Sequence, residues 1–294
     1  MHATNIVSGV TESEIQFWQS IHQAKIVFPY PNNWKDFLPF SQYMAIRDNS
    51  IILNENFMID SKGRLIDNKG EQDPIQLPFK LSSGESGFPD NWGGMLCLED
   101  ATFAIVSKKS RMLIRKPYLQ LIDVFEYDHA NKGKAESGCV IVGTPGIGKT
   151  YFGLYFLFYI TRRYPDSDII WHNQKGCLLF SPNQPVKAGQ IKDLDFRKQL
   201  EDDNAFYLVD SERPTSPAFA YTLLFSSPRS ERWNDFVKTE GHTIYYMPIW
   251  SPDEIWALWN LEYKNLSKNH VQKLMNRWGP IPRIIFDKYK DEPN

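Results

Sequence analysis

Apolar residues in the second half of the chain form short unbroken runs separated by helical or polar segments. Such runs, each typical of a buried strand, occur at residues 138–142, 168–171, 177–180, 205–209, 221–225 and 243–247. The segment at residues 151–164 is apolar almost all round, as expected of a central buried helix. Apolar strands that alternate with helices indicate a parallel sheet covered on both faces. The pattern predicts an α/β fold for this part of the chain.

The first hundred residues have a more mixed pattern. Residues 12–24 predict a short amphipathic helix, with Thr11 as its N-cap and Glu14 completing a capping box. Short apolar runs predict strands at residues 51–53, 57–59 and 64–66. We interpret this part as a small α+β domain with no catalytic constellation. Its expected roles are docking to a protein partner, homo-oligomerisation or covering a ligand site.

Loop-like segments suggest where the chain divides. Residues 71–94 and 131–137 are polar and rich in glycine, proline or serine, which is typical of loops. We place one domain boundary within residues 100–110. The predicted organisation has three parts: an N-terminal domain at residues 1–105, an α/β core at residues 106–248 and a small helical lid at residues 249–294.

Composition narrows the function classes. The chain has 294 residues, 42% of them hydrophobic, and a net charge of −2, so no global field draws it to nucleic acid or an anionic membrane. Cys97, Cys139 and Cys177 lack metal-ligand spacing, which argues against a zinc site or disulfide framework and favours an intracellular setting. We recognise no signal peptide, and the longest apolar run is shorter than the roughly 20 residues of a membrane helix.

The stretch Gly143-Thr-Pro-Gly-Ile-Gly-Lys-Thr150 matches the P-loop pattern GxxxxGK[ST] between a predicted strand and a predicted helix. In such a loop the backbone amides and the helix N-terminus surround phosphate oxygens, the lysine contacts the β- and γ-phosphates, and the hydroxyl ligates Mg²⁺. We therefore expect ATP and Mg²⁺ as cofactors. The expected binding residues are Gly143, Thr144, Pro145, Gly146, Ile147, Gly148, Lys149, Thr150 and Tyr151.

A second acidic motif lies at Ala205-Phe-Tyr-Leu-Val-Asp210. Apolar residues that end in an acid are typical of a Walker B strand, so Asp210 is predicted to hold Mg²⁺ together with Thr150. Many ATPases with an additional central strand place a glutamate directly after this aspartate to activate water. Here Ser211 intervenes and Glu212 follows, which favours slow hydrolysis or a nucleotide-dependent switch.

Three further positions are candidates for sensing the γ-phosphate. Ser226 or Ser227, at the end of a predicted strand, would either contact this phosphate or cap the next helix. Arg283, after the turn Gly279-Pro-Ile-Pro, would either reach back to the phosphates or lie on the surface. Arg229 and Arg232 are either arginine fingers towards a neighbouring subunit or part of a solvated face.

Several motifs occur in an order that resembles a known family. They are Arg115-Lys-Pro-Tyr-Leu-Gln-Leu121, the P-loop, Tyr207-Leu-Val-Asp210, Phe225-Ser-Ser-Pro228, Met247-Pro-Ile-Trp-Ser-Pro-Asp-Glu254 and the turn before Arg283. The set is similar to the P-loop NTPase module of Crinkler effectors and retrotransposon hot spot proteins, and covers residues 115–287. The resemblance implies an AAA+/STAND-like nucleotide-hydrolysing module with a five-stranded core sheet and a helical lid.

In these families the module usually precedes a restriction-endonuclease-like domain. The present chain ends at Asn294 and lacks the Leu-Phe-Leu-Ala-Lys-type header of secreted Crinklers, so we do not expect DNA cleavage. The expected location is intracellular, in the cytoplasm or nucleus, with secretion as an effector as the alternative. The catalytic candidates are Lys149, Asp210, Glu212, Ser227 and Arg283.

Three functions remain open from the sequence. The chain is an ATPase or ATP-driven switch, or a nucleotide-stabilised interaction or effector module without hydrolysis, or an NTPase linked to nucleic acid. The third would use the basic residues 108–116 with Lys132 and Lys134, although a solvated basic face is the favoured explanation for them. No residue discriminates adenine from guanine, and no Asn-Lys-x-Asp motif is present.

Overall fold

A computed structural model describes residues 9–29, 42–47, 50–70, 72–76, 94–131, 138–215, 218–229, 231, 233–240 and 242–287. Outside these ranges lie residues 71 and 77–93 of the loop predicted at 71–94, residues 132–137 with Lys132 and Lys134, and Arg232. The described residues 72–76 of that predicted loop include a two-residue strand at Ile75–Gln76. The described part contains two large β-sheets, a small one and seven α-helices.

The N-terminal part begins with helix α1 (Glu12–Ile21). The predicted capping box is present: the Glu14 amide donates to the Thr11 hydroxyl at 3.3 Å and the Thr11 amide donates to the Glu14 carboxylate at 2.8 Å. The helix ends at Ile21, three residues before the predicted end.

Antiparallel strands follow this helix. A five-stranded sheet, ordered β2-β3-β1-β7-β8, consists of β1 (Lys25–Pro29), β2 (Met44–Arg47), β3 (Ser50–Leu53), β7 (Met95–Cys97) and β8 (Arg111–Leu113). A smaller sheet consists of β4 (Phe57–Ile59), β5 (Arg64–Asp67) and β6 (Ile75–Gln76). Strand β8 lies beyond the predicted boundary at residue 105, and the division into domains stays a prediction.

The core contains the predicted parallel sheet. The parallel strands are β9 (Gly138–Val142), β10 (Ile169–Asn173), β13 (Phe206–Asp210), β14 (Tyr221–Ser226) and β15 (Thr243–Tyr246). They lie in the order β10-β13-β14-β9-β15. Strand β14 therefore separates the strand of Asp210 from β9, the strand before the glycine-rich loop at residues 143–150, which is called the P-loop below for its sequence pattern alone. Strands β11 (Gly176–Phe180) and β12 (Lys187–Gly189) extend the sheet beyond β10 in antiparallel fashion, which the sequence did not predict.

Helices cover both faces of this sheet. The elements are α2 (Lys116–Asn131), α3 (Lys149–Arg163), α4 (Leu194–Leu200) and α5 (Asn234–Glu240). Helices α2 and α3 pack on the face that carries Phe206 and Leu208, whereas α4 and α5 pack on the face that carries Tyr207 and Val209. The chain then continues into α6 (Pro252–Glu262), α7 (Lys268–Trp278) and a π-helical turn at Arg283–Asp287.

Helix α3 joins the P-loop to the N-terminal part. Its residues 152–161 are all buried, and its last turn reaches the N-terminal part through two arginines. The Arg162 guanidinium donates to the carbonyls of Ala24 and Glu55, and that of Arg163 donates to Lys69. The N-terminal part therefore rests on the same helix whose other end forms the P-loop.

Gly153 lets α3 approach the sheet. A Cβ atom here would lie 2.8 Å from a ring carbon of Phe225 and 3.0 Å from one of Trp171. Helix propensity favours alanine over glycine by about 1 kcal/mol, whereas overpacking a buried site costs about 1–3 kcal/mol. We expect Gly153→Ala to lower the free energy of unfolding by up to about 2 kcal/mol in urea denaturation. A midpoint at or above that of the wild type would contradict this packing argument.

Candidate functional site

The P-loop lies between the carboxyl end of β9 and the first turn of α3. Gly146 and Gly148 have φ angles of +88° and +100°, in the region that favours glycine. A Cβ on Gly146 would lie 2.8 Å from the Cβ of Arg283, and one on Gly148 would lie 2.5 Å from the Tyr118 hydroxyl. Both backbone conformation and close packing thus require glycine at these two positions.

Two polar side chains from separate motifs meet beside this loop. The Thr150 hydroxyl, in the first turn of α3, donates to Oδ1 of Asp210 at 3.2 Å. Asp210 ends β13 and points to the same face of the sheet as Phe206 and Leu208, towards α3. The predicted partnership of the two side chains therefore has a geometric basis.

The pair fits the requirements of Mg²⁺. With ligands about 2.1 Å from the ion, neighbouring oxygens of an octahedral site are roughly 3 Å apart. The two protein oxygens are 3.2 Å apart. Mg²⁺ is usually held by one or two protein oxygens, with phosphates and water completing the shell. In the described part of the chain, no cluster of three or more His, Cys, Asp or Glu side chains offers an all-protein metal site.

The Lys149 side chain folds back over the start of the P-loop. Its ammonium group donates to the carbonyl of Gly143 at 2.6 Å and to that of Thr144 at 3.1 Å. Burial lowers the pKa of Lys149 to about 8, with Asp210 opposing the change and Arg283 reinforcing it. Burial also raises the pKa of Asp210, against hydrogen bonds from Thr150 and Ser211. The Lys149 ammonium is thus partly buried, and the Asp210 carboxylate compensates its charge only in part. An uncompensated buried cation is typical of a site that binds an anion.

The structure separates the two serine candidates. Ser226 is the last residue of β14, fully buried on the side of Thr222 and Leu224, away from α3. Ser227 follows the strand and lines the cleft beside the P-loop. Of the two serines, Ser227 is therefore the one that lines the cleft.

Glu212 lies outside this cleft. Ser211, with a φ of +63°, turns the chain after β13 and itself lines the cleft, with its hydroxyl 3.2 Å from Oδ1 of Asp210. Burial lowers the pKa of His172 and raises that of Tyr207; the nearby Glu212 carboxylate opposes the first change and adds to the second. These two rings lie beside each other, with the His172 Nδ1 and the Tyr207 hydroxyl 2.7 Å apart.

The described arginine candidates also differ in position. Arg283, the first residue of the π-helical turn, is exposed to solvent but lines the cleft and packs against Gly146. Arg229 is exposed on the loop after β14 and does not line the cleft.

The cleft extends well beyond the P-loop and has a volume of about 550 Å³. One wall comes from residues 106–113, which include β8, and the other from α6 and the residue after it, in the predicted lid. Both walls carry apolar side chains: Val106, Met112 and Leu113 on one side, Leu258, Leu261 and Tyr263 on the other. Two contacts bridge the walls, from Lys109 to the Tyr263 hydroxyl and from Arg111 to Glu262, the latter at 2.9 Å. The cleft is therefore lined by the P-loop at one end and by apolar and charged side chains of the two walls away from it.

Sequence reasoning missed a buried ion pair beside the P-loop. Arg115 is 1% exposed and donates to both carboxylate oxygens of Glu254, at 2.9 and 3.0 Å. Glu254 also completes a capping box with Ser251 at the start of α6. The spacing Ser251-x-x-Glu254 predicts the start of α6. No pattern among neighbouring residues predicts that Glu254 pairs with an arginine 139 residues away.

Comparison with known proteins gives a distant relationship. The chain is similar to Crinkler effector proteins 15 and 16 of Phytophthora infestans, with 27% identity over 205 residues in each case. The similarity covers 67% of this chain, but only 32% of each relative. No protein-family model matches the chain. The predicted resemblance to Crinkler effectors is thus confirmed at the level of distant similarity.

None of the described helices is both long and apolar enough to cross a membrane.

Proposed function

We propose that this chain is a P-loop NTPase of the additional-strand, AAA+-like class that binds Mg·ATP in the cleft. One observation carries the proposal: the Thr150 hydroxyl and the Asp210 carboxylate, from motifs 60 residues apart, lie 3.2 Å from each other at the mouth of the P-loop. The strand order supports the class, because β14 lies between the strand of the P-loop and that of Asp210.

Each side chain has a distinct role in the proposed complex. The amides of the P-loop and the start of α3 surround the phosphates, and Lys149 exchanges its bonds to the Gly143 and Thr144 carbonyls for bonds to phosphate oxygens. Thr150 and Asp210 hold Mg²⁺, which when bound neutralises phosphate charge. Arg283 and Ser227 line the cleft beside the loop, where they contribute further donors.

A switch follows from the two walls of the cleft. The nucleoside end of the ligand would lie between the N-terminal side and the lid, which contact each other through Lys109 and Tyr263 and through Arg111 and Glu262. A nucleotide in this position changes the free energy of that contact. Its binding can therefore shift the relative populations of conformations in which the two walls are in contact or apart. We therefore propose an ATP-driven switch or effector module with slow hydrolysis.

A second function is favoured by the position of Glu212. Among the described residues that line the cleft, the carboxylates are Asp210, Glu262 and Asp287, and Glu212 is not one of them. A chain without a carboxylate next to the attacking water would bind ATP tightly and hydrolyse it barely at all. The alternative is therefore a nucleotide-stabilised interaction module.

The nucleic-acid alternative loses support from the same contacts. Three cations of the basic stretch at residues 108–116 contact other residues of the chain: Lys109 contacts Tyr263, Arg111 contacts Glu262 and Arg115 contacts Glu254. Fewer cations of this stretch are left to contact phosphates of a nucleic acid.

Phosphate release and ATP binding, measured together, test these functions. We expect the wild type to bind Mg·ATP and release phosphate slowly, with Glu212→Gln releasing phosphate within about twofold of the wild-type rate because its side chain lies outside the cleft. Tight binding without release at high protein concentration would favour the non-hydrolysing module. A wild type that binds no ATP with or without Mg²⁺ would refute the proposal, and a much slower Glu212→Gln would show that Glu212 enters the cleft.

A further inference from the structure

Three buried donors from outside the P-loop hold the carbonyls of its last turn. The Tyr118 hydroxyl donates to the Gly148 carbonyl at 2.8 Å, and the Trp250 indole N–H donates to the Ile147 carbonyl at 2.8 Å. The Arg115 guanidinium also donates to the Ile147 carbonyl, at 3.3 Å. We call Arg115, Tyr118 and Trp250 the carbonyl clamp; none is more than 6% exposed.

The clamp controls where the adjacent amides point. In a planar trans peptide the C=O and the N–H point in opposite directions. A donor on the Ile147 carbonyl therefore fixes the opposite direction of the Gly148 N–H. The Gly148 carbonyl accepts from both the Tyr118 hydroxyl and the Phe152 amide of α3, so Tyr118 adds to the bond of the helix in fixing the direction of the Lys149 N–H. These are amides that a P-loop directs at phosphate oxygens.

The clamp is itself fixed by packing and charge. Both Glu254 oxygens accept from Arg115, and the Arg115 guanidinium lies 4.7 Å from the centre of the Trp250 ring. The Tyr118 hydroxyl lies 2.5 Å from where a Cβ of Gly148 would be, so residue 148 must be glycine for this contact to form. Burial raises the pKa of Tyr118, which keeps its hydroxyl protonated as a donor.

We propose that Arg115, Tyr118 and Trp250 are positioning residues for polyphosphate binding, acting through the peptide units of Ile147 and Gly148. The inference rests on the proposed function and adds to it the residues that orient the loop. Arg115 directly precedes α2 and Tyr118 lies in its first turn, whereas Trp250 lies two residues before α6, the first helix of the predicted lid. Phosphate binding therefore depends on the correct seating of both segments against the loop.

Minimal substitutions test the clamp. Tyr118→Phe and Trp250→Phe each remove one donor to a P-loop carbonyl while keeping a buried ring. We expect each variant to bind Mg·ATP, and also inorganic tripolyphosphate with Mg²⁺, about fivefold more weakly than the wild type, the effect of one lost hydrogen bond. Amide hydrogen exchange at Gly148 and Lys149 should become faster in the same variants.

Matched variants control for the loss of a buried bond. Tyr159→Phe removes a hydroxyl that donates to Glu126 at 2.6 Å, and Trp259→Phe removes an indole N–H that donates to the Leu266 carbonyl at 3.0 Å. Neither residue lines the cleft. Their melting temperatures should fall about as much as those of the clamp variants, whereas their affinity for both ligands should stay that of the wild type.

The outcomes separate the clamp from the site itself. Wild-type affinity in both clamp variants would overturn this inference and leave the proposed function standing. Weaker binding of ATP with unchanged binding of tripolyphosphate would also overturn it, because the rings would then contact the nucleoside directly. A wild type that binds neither ligand would overturn the proposed function and the clamp with it.

Discussion

Replacing Lys149 with alanine is expected to abolish most ATP binding while leaving the fold intact. The side chain would lose charge-assisted bonds to phosphate oxygens, and removing one partner of such a buried pair costs about 3 kcal/mol, or roughly a hundredfold in Kd. Its present partners are the carbonyls of Gly143 and Thr144, and burial lowers its pKa to about 8. Burial of the Lys149 charge thus costs free energy in the ligand-free protein, so its removal should not lower the free energy of unfolding.

Calorimetric titration with Mg·ATP and thermal melting measure the two effects separately. Lys175→Ala provides a matched control, because this exposed lysine lies in the hairpin turn between β10 and β11 and does not line the cleft. It should bind ATP as the wild type does. If Lys149→Ala retains wild-type affinity for ATP, the P-loop is not the binding site.

Replacing Arg115 with leucine is expected to cause the largest loss of stability. The change leaves the Glu254 carboxylate, 8% exposed, without its cation, and breaking a buried ion pair in this way costs about 3–5 kcal/mol. It also removes donors from the carbonyls of Ile147 and Ile249. Against the typical total of about 5–15 kcal/mol for a folded chain, this loss is severe.

Urea denaturation of three variants separates charge from packing. Adding Glu254→Gln to Arg115→Leu removes the unpaired charge and should recover a large part of the lost stability. Arg111→Met breaks the pair with Glu262. Because the Arg111 side chain is 52% exposed, this change should lower the free energy of unfolding by less than about 1 kcal/mol. Equal losses for Arg115→Leu and Arg111→Met would show that burial of the Arg115 pair has no energetic weight.

Much of the core could be predicted because its signals are local. The glycines and apolar strand before Lys149, the apolar strand before Asp210 and the capping box of Thr11 and Glu14 each depend on neighbours within a few residues. The chain order of strands and helices then suffices to predict a parallel sheet. These are the features that the structure contains as expected, apart from small shifts in helix ends.

The rest depends on contacts between distant parts of the chain. Whether Ser226 or Ser227 meets the cleft is decided by which residue ends β14, since side chains alternate between faces along a strand. The direction of Glu212 depends on the left-handed backbone of Ser211. The role of Arg115 depends on a partner in α6, beyond the reach of any local pattern.

The bond from Trp250 to the P-loop has an optical consequence. The chain contains nine tryptophans, and this one donates its indole N–H to the Ile147 carbonyl while the Arg115 cation lies 4.7 Å from its ring. The wavelength of indole emission depends on the local electric field. A change in the orientation of the Ile147 carbonyl, or in the position of the Arg115 guanidinium, therefore shifts the emission maximum of Trp250. The difference between the spectra of wild type and Trp250→Phe isolates that signal, which makes the loop observable in the unlabelled protein.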